Sequence, residues 1–149
     1  MKTARVKHSL VAAIAIAALT LVSAPFAAHA SAPRAGTIKI GFFGPLTGSI
    51  AIAGVDMLNA MKLAVADWNK KGGVLGQQIT IDPQDSPCNP QIAVQAAQKI
   101  VSDGDIAVVG PYCSSDAIPA SVIYHRANIP FMVPASTNPR LTAQGFHNI

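Results

Sequence analysis

The chain has 149 residues, of which 50% are hydrophobic and 12% are charged, and its formal net charge is +4. Residues 31–149 hold eight Lys and Arg against seven Asp and no Glu, so their net charge is only +1. They contain no basic stripe, which excludes a nucleic-acid partner, and their length suits one domain with a modest core.

Residues 1–30 have the layout of a secretory signal peptide. Three Lys and Arg residues occur among the first seven, an almost wholly apolar stretch follows at 10–22, and Ala28 and Ala30 supply the small residues of a cleavage site. The apolar stretch is shorter than the ~20 residues of a membrane-spanning helix. We therefore expect cleavage near Ala30, a periplasmic location and no membrane span in the mature chain.

The remaining sequence alternates strand-like and helix-like segments. Asn89 followed by Pro90 is typical of a helix N-cap with proline at the first helical position. Apolar spacing also places Trp68 and Ile92 on inward faces of their helices. In chain order we predict a strand at 38–43, a helix at 52–71, a strand at 79–81, a helix at 90–103, a strand at 106–109, a helix at 116–127 and a strand at 129–133.

This alternation predicts an α/β fold in three layers, a mostly parallel sheet with helices on both faces. Ligands of such sheets bind beyond the carboxyl ends of the strands. Three of the four predicted strand ends contain Ser or Thr beside Gly, Pro or Ala. The end of the third predicted strand runs through Ser114, Ser115 and Asp116 into a helix, whose unpaired N–H groups and positive dipole end suit a carboxylate. The sequence therefore predicts a site for a small polar ligand at this edge.

Other chemistries compete for the same residues. Ser114 and Ser115 leave a small exported serine hydrolase open, although the G-x-S-x-G motif is absent and His125 lies about three helical turns away. The glycines after the first strand lack the spacing of a dinucleotide or phosphate loop. His125 and His147 are far apart in sequence and the Asp residues are scattered, so we predict neither a metal site nor a cofactor.

The two cysteines, Cys88 and Cys113, belong to a chain predicted to reach an oxidising compartment. Such a location favours a disulfide between them, with two buried free thiols as the alternative. Their spacing is not that of a redox pair or a zinc site.

A series of motifs runs through essentially the whole mature chain. In order they are IKIG (38–41), GPLTG (44–48), ADWNKKGG (66–73), DSPCNP (85–90), GPYCSS (110–115), PAST (134–137) and LTA (141–143). Their order and spacing resemble the leucine/isoleucine/valine-binding proteins, the exported solute receptors of branched-chain amino-acid ABC importers. The resemblance implies the first lobe of a type I periplasmic-binding-protein fold, in which two α/β lobes close over an amino acid.

The resemblance also implies roles for particular residues. Ser114 would hold the carboxylate of the ligand, and Ala135 and Thr137 would contact its carboxylate and ammonium groups through backbone and hydroxyl atoms. Ser115 and Ser136 lie in the same two turns and complete the predicted ligand-binding set. The family pattern also pairs the two cysteines, Cys88 with Cys113.

The resemblance implies a solute-binding component and no enzyme activity, with a branched-chain or related aliphatic amino acid as ligand and a membrane permease as partner. A ligand-sensing receptor domain of the same fold, a nonfunctional truncated remnant and the serine hydrolase are the alternatives. The family continues beyond the position of Ile149, so we expect residues 31–149 to be a truncated N-terminal lobe without its second lobe. Ala53 stands where well-studied members carry an aromatic residue, which leaves the preferred side chain open.

Overall fold

Four parallel strands form the sheet at the centre of the fold. The structure is a computed structural model that describes residues 36–149, so the predicted signal peptide at 1–30 lies outside the described residues. The strands lie in the order β2-β1-β3-β4 and pair in parallel throughout. In chain order the elements are β1 (Thr37–Gly44), α1 (Ala51–Lys70), β2 (Gln78–Asp85), α2 (Pro90–Ser102), β3 (Ala107–Val109), α3 (Ser114–Arg126), β4 (Phe131–Met132) and a 3-10 helix (Thr142–Gln144).

Different helices cover the two faces of the sheet. The chain crosses the sheet in one direction from β1 to β2, and in the opposite direction from β2 through β3 to β4. Because parallel crossovers are right-handed, α1 lies on one face and α2 and α3 lie on the other. The predicted three-layer α/β fold is confirmed. Because the four strands are parallel, they all end at the same edge of the sheet.

The main core lies between the sheet and helices α2 and α3. Phe43, Tyr124 and Phe131 form an aromatic cluster there, with ring centroids between 4.9 and 5.9 Å apart. Gly41 lets α2 approach β1 closely, because a Cβ atom at that position would lie 2.7 Å from Cγ2 of Ile100. This packing fixes α3 against the sheet, and its first turn therefore lies at the carboxyl end of β3.

Helix α1 buries a narrower stripe than its apolar spacing predicts. Trp68 is 55% exposed, so its predicted place in the core is wrong. The adjacent Asn69 faces the sheet instead, and its side chain both donates to the carbonyl of Ile79 and accepts from the N–H of Ile79, each at 2.8 Å. Helical geometry turns neighbouring residues about 100° apart, so the indole points outward. Ile92 is likewise half exposed, at 37%, because the buried stripe of α2 begins at Ala93.

The remaining elements follow the predicted order with changed boundaries. Asn89 caps α2 as predicted, since its side chain accepts from the N–H groups of Gln91 and Ile92. Strand β2 runs through Pro83 to Asp85, which an edge strand tolerates because the missing N–H is not needed on its free side. None of the helices in residues 36–149 combines the length and the apolar character that crossing a bilayer requires.

Candidate ligand-binding site

The first turn of α3 lies where the sequence predicted an anion site. Helix α3 begins at Ser114, and Cys113 is its N-cap with an extended backbone and no side-chain capping bond. Gly110 directly follows β3 with φ +126°, and a Cβ atom there would lie 2.0 Å from the carbonyl oxygen of Phe43. Only glycine fits this approach. The helix start is therefore held tightly against the end of the central strand β1.

Two hydrogen bonds join this helix start to the loop that follows β4. The N–H of Asn138 donates to Oγ of Ser114 at 3.3 Å. In the other direction, Oγ of Ser136 donates to the carbonyl of Pro111 at 3.2 Å. Thr137 lies between Ser136 and Asn138 in the chain, so the predicted residues of both turns lie at one place on the sheet edge.

The predicted ligand-binding residues differ in their exposure and in their free hydrogen-bonding groups. Ser114, Ala135 and Ser136 are half-buried, whereas Ser115 and Thr137 are exposed. Within residues 36–149 the hydroxyl of Ser114 acts only as an acceptor, so its single proton is available to a ligand. The hydroxyl of Ser115 instead donates to Asp116 at 3.1 Å, which leaves only its oxygen free.

A buried carboxylate lies directly beneath this turn. Asp116 is fully buried, and it accepts hydrogen bonds from Oγ of Ser86 at 2.5 Å and from Oγ of Ser115 at 3.1 Å. Burial raises the pKa of Asp116, and the two hydroxyl donors oppose that rise because they favour the charged form. The N–H of Ser86 also donates to the carbonyl of Gly44 at 2.8 Å. Hydrogen bonds therefore join the carboxyl ends of β1 and β2 to the first turn of α3.

A second carboxylate shapes the loop after β1. Asp85, the last residue of β2, accepts from the N–H groups of Leu46 and Thr47 at 2.8 and 3.2 Å and from the Thr47 hydroxyl at 2.5 Å. The loop is thereby fixed beside the helix start. Sequence reasoning assigned neither Asp85 nor Asp116 to the site. The available signal was their position, since Asp85 ends β2 and Asp116 lies in the first turn of α3, both at the predicted binding edge.

The predicted disulfide between Cys88 and Cys113 is present, with a Cα–Cα distance of 5.5 Å. This separation is in the usual range for disulfides. It links the loop after β2 covalently to the N-cap of α3. The same two segments are also joined by the Ser86–Asp116 hydrogen bond, so the helix start is fixed twice.

His125, the histidine considered for the hydrolase alternative, lies apart from Ser114. His125 lies eleven residues after Ser114 on the same helix, about 16 Å along its axis. Its ring stacks on Phe146 at 4.1 Å and its Nδ1 lies 3.3 Å from Oδ1 of Asn148. Residues 36–149 contain no group of three or more His, Cys, Asp or Glu that could hold a metal ion.

One open groove of about 530 Å³ is separate from the predicted ligand residues. It runs along the outer surface of α2 and α3, and none of the predicted ligand residues lines it. Its lining residues are Pro90, Gln91, Val94, Gln95, Gln98 and Pro119. The predicted site is instead an open rim of hydroxyl and N–H groups.

Comparisons with known proteins give similar sequences over most of the described residues. The Leu/Ile/Val-binding protein of Escherichia coli K12 is 41% identical over 112 residues, which are 75% of this chain and 30% of that protein. Leu/Ile/Val-binding protein BraC3 of Rhizobium johnstonii is 39% identical over 131 residues, covering 87% of this chain and 36% of BraC3. The chain thus spans about a third of the length of these relatives. Both are solute-binding proteins by name.

A solved structure gives the same result for the fold. The branched-chain amino acid transporter substrate-binding protein LivJ of Streptococcus pneumoniae, crystallised with isoleucine, superposes with a TM-score of 0.72 at 32% identity. The match covers 76% of this chain and 32% of LivJ. Residues 37–148 also match the sequence profile of a family described as periplasmic binding protein. The chain therefore belongs to the periplasmic binding protein family.

Proposed function

We propose that residues 31–149 form the N-terminal ligand-binding lobe of an extracytoplasmic receptor for a branched-chain or related aliphatic amino acid. In this proposal a signal peptide cleaved near Ala30 directs the chain to the periplasm. A membrane permease of an ABC importer receives the ligand from the receptor. The observation that carries the proposal is the hydrogen bond between Ser114 and Asn138, because it brings the two hydroxyl-bearing turns together at the sheet edge.

The first turn of α3 provides the donors for a carboxylate. The first N–H groups of a helix have no partner within the helix, and they carry the positive end of its dipole. The hydroxyl of Ser114 adds one donor whose proton is unused by the protein. Hydrogen bonds to a charged acceptor are worth about 1.5–3 kcal/mol each. A carboxylate held there would therefore be oriented by several converging donors.

The loop after β4 provides groups of the opposite kind. The carbonyl of Ala135 and the hydroxyl oxygen of Thr137 can accept hydrogen bonds from an ammonium group. Thr137 is exposed and Ala135 is half-buried, so both remain accessible on the rim. An α-amino acid carries its carboxylate and its ammonium group on one carbon atom, and the two turns lie correspondingly close together.

Binding in this proposal makes and breaks no covalent bond. The relatives are named as binding proteins, and the one histidine of α3 lies far from Ser114. Delivery to a permease would follow the general scheme in which lobes close over a ligand by a hinge motion. Ala53, half-buried in the first turn of α1, leaves more room beside the ligand than an aromatic residue would, so several aliphatic side chains fit the proposal.

The proposal is tested by calorimetry on the protein expressed from its full genomic reading frame, titrated with leucine, isoleucine and valine. We expect one of them to bind with micromolar affinity, and Ser114→Ala to weaken that binding about tenfold through loss of one charge-assisted hydrogen bond. Ser102→Ala is the matched control, because that hydroxyl is exposed at the end of α2 and bonds only to the carbonyl of Lys99.

Three outcomes would contradict the proposal. The first is the absence of amino-acid binding, and the second is an affinity that Ser114→Ala leaves unchanged. The third is an esterase activity that disappears in Ser114→Ala, which would restore the hydrolase alternative.

A further inference from the structure

Asp116 places a buried carboxylate beside the proposed carboxylate site. It lies in the first turn of α3, two residues after Ser114, and it is fully buried. Its partners are hydroxyl groups, Oγ of Ser86 at 2.5 Å and Oγ of Ser115 at 3.1 Å. None of the ion pairs found within residues 36–149 involves it. The ionised form of Asp116 is thus stabilised by hydroxyl donors, and no cation within residues 36–149 pairs with it.

This charge opposes the field of the helix. A helix N-terminus is equivalent to about half a positive charge, whereas an ionised Asp116 contributes a full negative charge within one turn of it. A ligand with only a carboxylate would be repelled by Asp116. A zwitterion would experience repulsion of its carboxylate and attraction of its ammonium group, and these two effects largely cancel at similar distances.

We propose that Asp116 is a specificity-determining residue that makes the site select zwitterionic amino acids over monocarboxylates with the same side chain. This inference rests on the function proposed above. Asp116 acts through its charge and does not contact the ligand, because its side chain has no exposed surface. Specificity then comes from the repulsion of monocarboxylates as well as from the binding of amino acids.

A purely structural role for Asp116 makes a different prediction. If its carboxylate only ties Ser86 to α3, its loss would change the affinity for every ligand by the same factor. Asp116→Asn separates the two roles, because asparagine has the same shape. Its Oδ1 can still accept from Ser86 and its Nδ2 can donate to Oγ of Ser115. The variant removes the charge and keeps the connections.

The experiment compares L-leucine with 4-methylpentanoate, its analogue without the amino group, by calorimetry on the protein from its full genomic reading frame. For Asp116→Asn we expect 4-methylpentanoate to bind about tenfold more tightly, while leucine affinity changes less than about threefold. Asp103→Asn is the matched control. It alters net charge equally at the C-cap of α2, and we expect it to leave both affinities unchanged.

An equal change for both ligands, or no change for either, would overturn the inference while leaving the proposed function intact. Absence of leucine binding by the unmutated protein, together with the absence of binding by other amino acids, would overturn the proposed function and this inference with it. Circular dichroism checks the folding of each variant. Should Asp116→Asn not fold, Asp116→Ser removes the same charge, and a water molecule can then bond to Ser86.

Discussion

Carboxylates at the two edges of the sheet differ in their hydrogen bonding. At the carboxyl edge, Asp85 and Asp116 accept hydrogen bonds from hydroxyl and N–H groups that converge on them. At the amino edge, Asp105 precedes β3 with a fully buried side chain, and neither of its oxygens has a hydrogen-bond partner within residues 36–149. Its nearest cation, Nζ of Lys39, lies 3.8 Å away.

The difference lies in the hydrogen-bond partners that the protein itself supplies to the carboxylates at each edge. Burial raises the pKa of Asp105, and the charges of Asp82 and Asp103 raise it further, whereas Lys39 lowers it. At the carboxyl edge the buried carboxylate of Asp116 instead has two donors that stabilise its charge. A polar group that is buried without partners costs about 1–3 kcal/mol. That cost arises at the edge where no ligand is proposed to bind.

The largest expected effect comes from removing the covalent link at the carboxyl edge. Cys88→Ser with Cys113→Ser opens a loop whose ends are 25 residues apart in sequence. Loop-closure entropy predicts a loss of about 3 kcal/mol in the free energy of unfolding. Denaturant unfolding followed by circular dichroism measures it, and the unmutated protein with reductant is the control. Equal midpoints for the oxidised and reduced protein would show that the Ser86–Asp116 contact alone fixes this edge.

A smaller effect of opposite sign is expected at the amino edge. Asp105→Asn replaces a buried carboxylate that has no hydrogen-bond partner within residues 36–149 with a neutral amide, which can donate to the buried Oδ2 of the neighbouring Asp82. We expect the variant to be more stable than the unmutated protein at pH 7 by about 1–2 kcal/mol. A variant less stable than the unmutated protein at pH 7 would contradict the view that the Asp105 carboxylate lowers the stability of the amino edge.

The stability gained by Asp105→Asn should depend on pH. The pKa of Asp105 is raised in the folded state above its ordinary 3.8, so the folded state binds its proton more tightly. The stabilisation that this proton provides is complete below about pH 4 and is lost as pH rises through the raised pKa. Thermal melts from pH 4 to 7 should therefore show the advantage of Asp105→Asn growing with pH.

The smallest expected effect concerns an exposed pair at the same edge. Lys99 bonds to Asp103 on the surface of α2, and their contact lowers the pKa of Asp103 and raises the pKa of Lys99. The stabilisation from Asp103 is present above the ordinary pKa of an aspartate and is lost as pH falls through its lowered value. Because exposed pairs contribute little, Lys99→Gln should lower the melting temperature only slightly, and 1 M salt should remove the difference.

Local patterns in the sequence predict the architecture well and the buried polar contacts poorly. Alternating apolar segments and the Asn89 cap predict the order of strands and helices, because both depend on neighbouring residues. The orientation of α1 depends on whether Asn69 or Trp68 faces β2, and apolar spacing favoured the wrong residue. The partnership of Asp116 with Ser86 spans 30 residues, so only the folded chain reveals it. Ser114 and Thr137 follow two predicted strands, and their turns meet at one edge because those strands are parallel.

Asn69 covers backbone groups at one border of the sheet. Strand β2 lies at the border of the sheet, where unpaired backbone groups invite pairing with a strand of another molecule. The side-chain amide of Asn69 bonds to both the N–H and the carbonyl of Ile79 in the way that a further strand would. One side chain thus occupies the position at Ile79 that a strand of another molecule would need, which disfavours edge-to-edge pairing at this point.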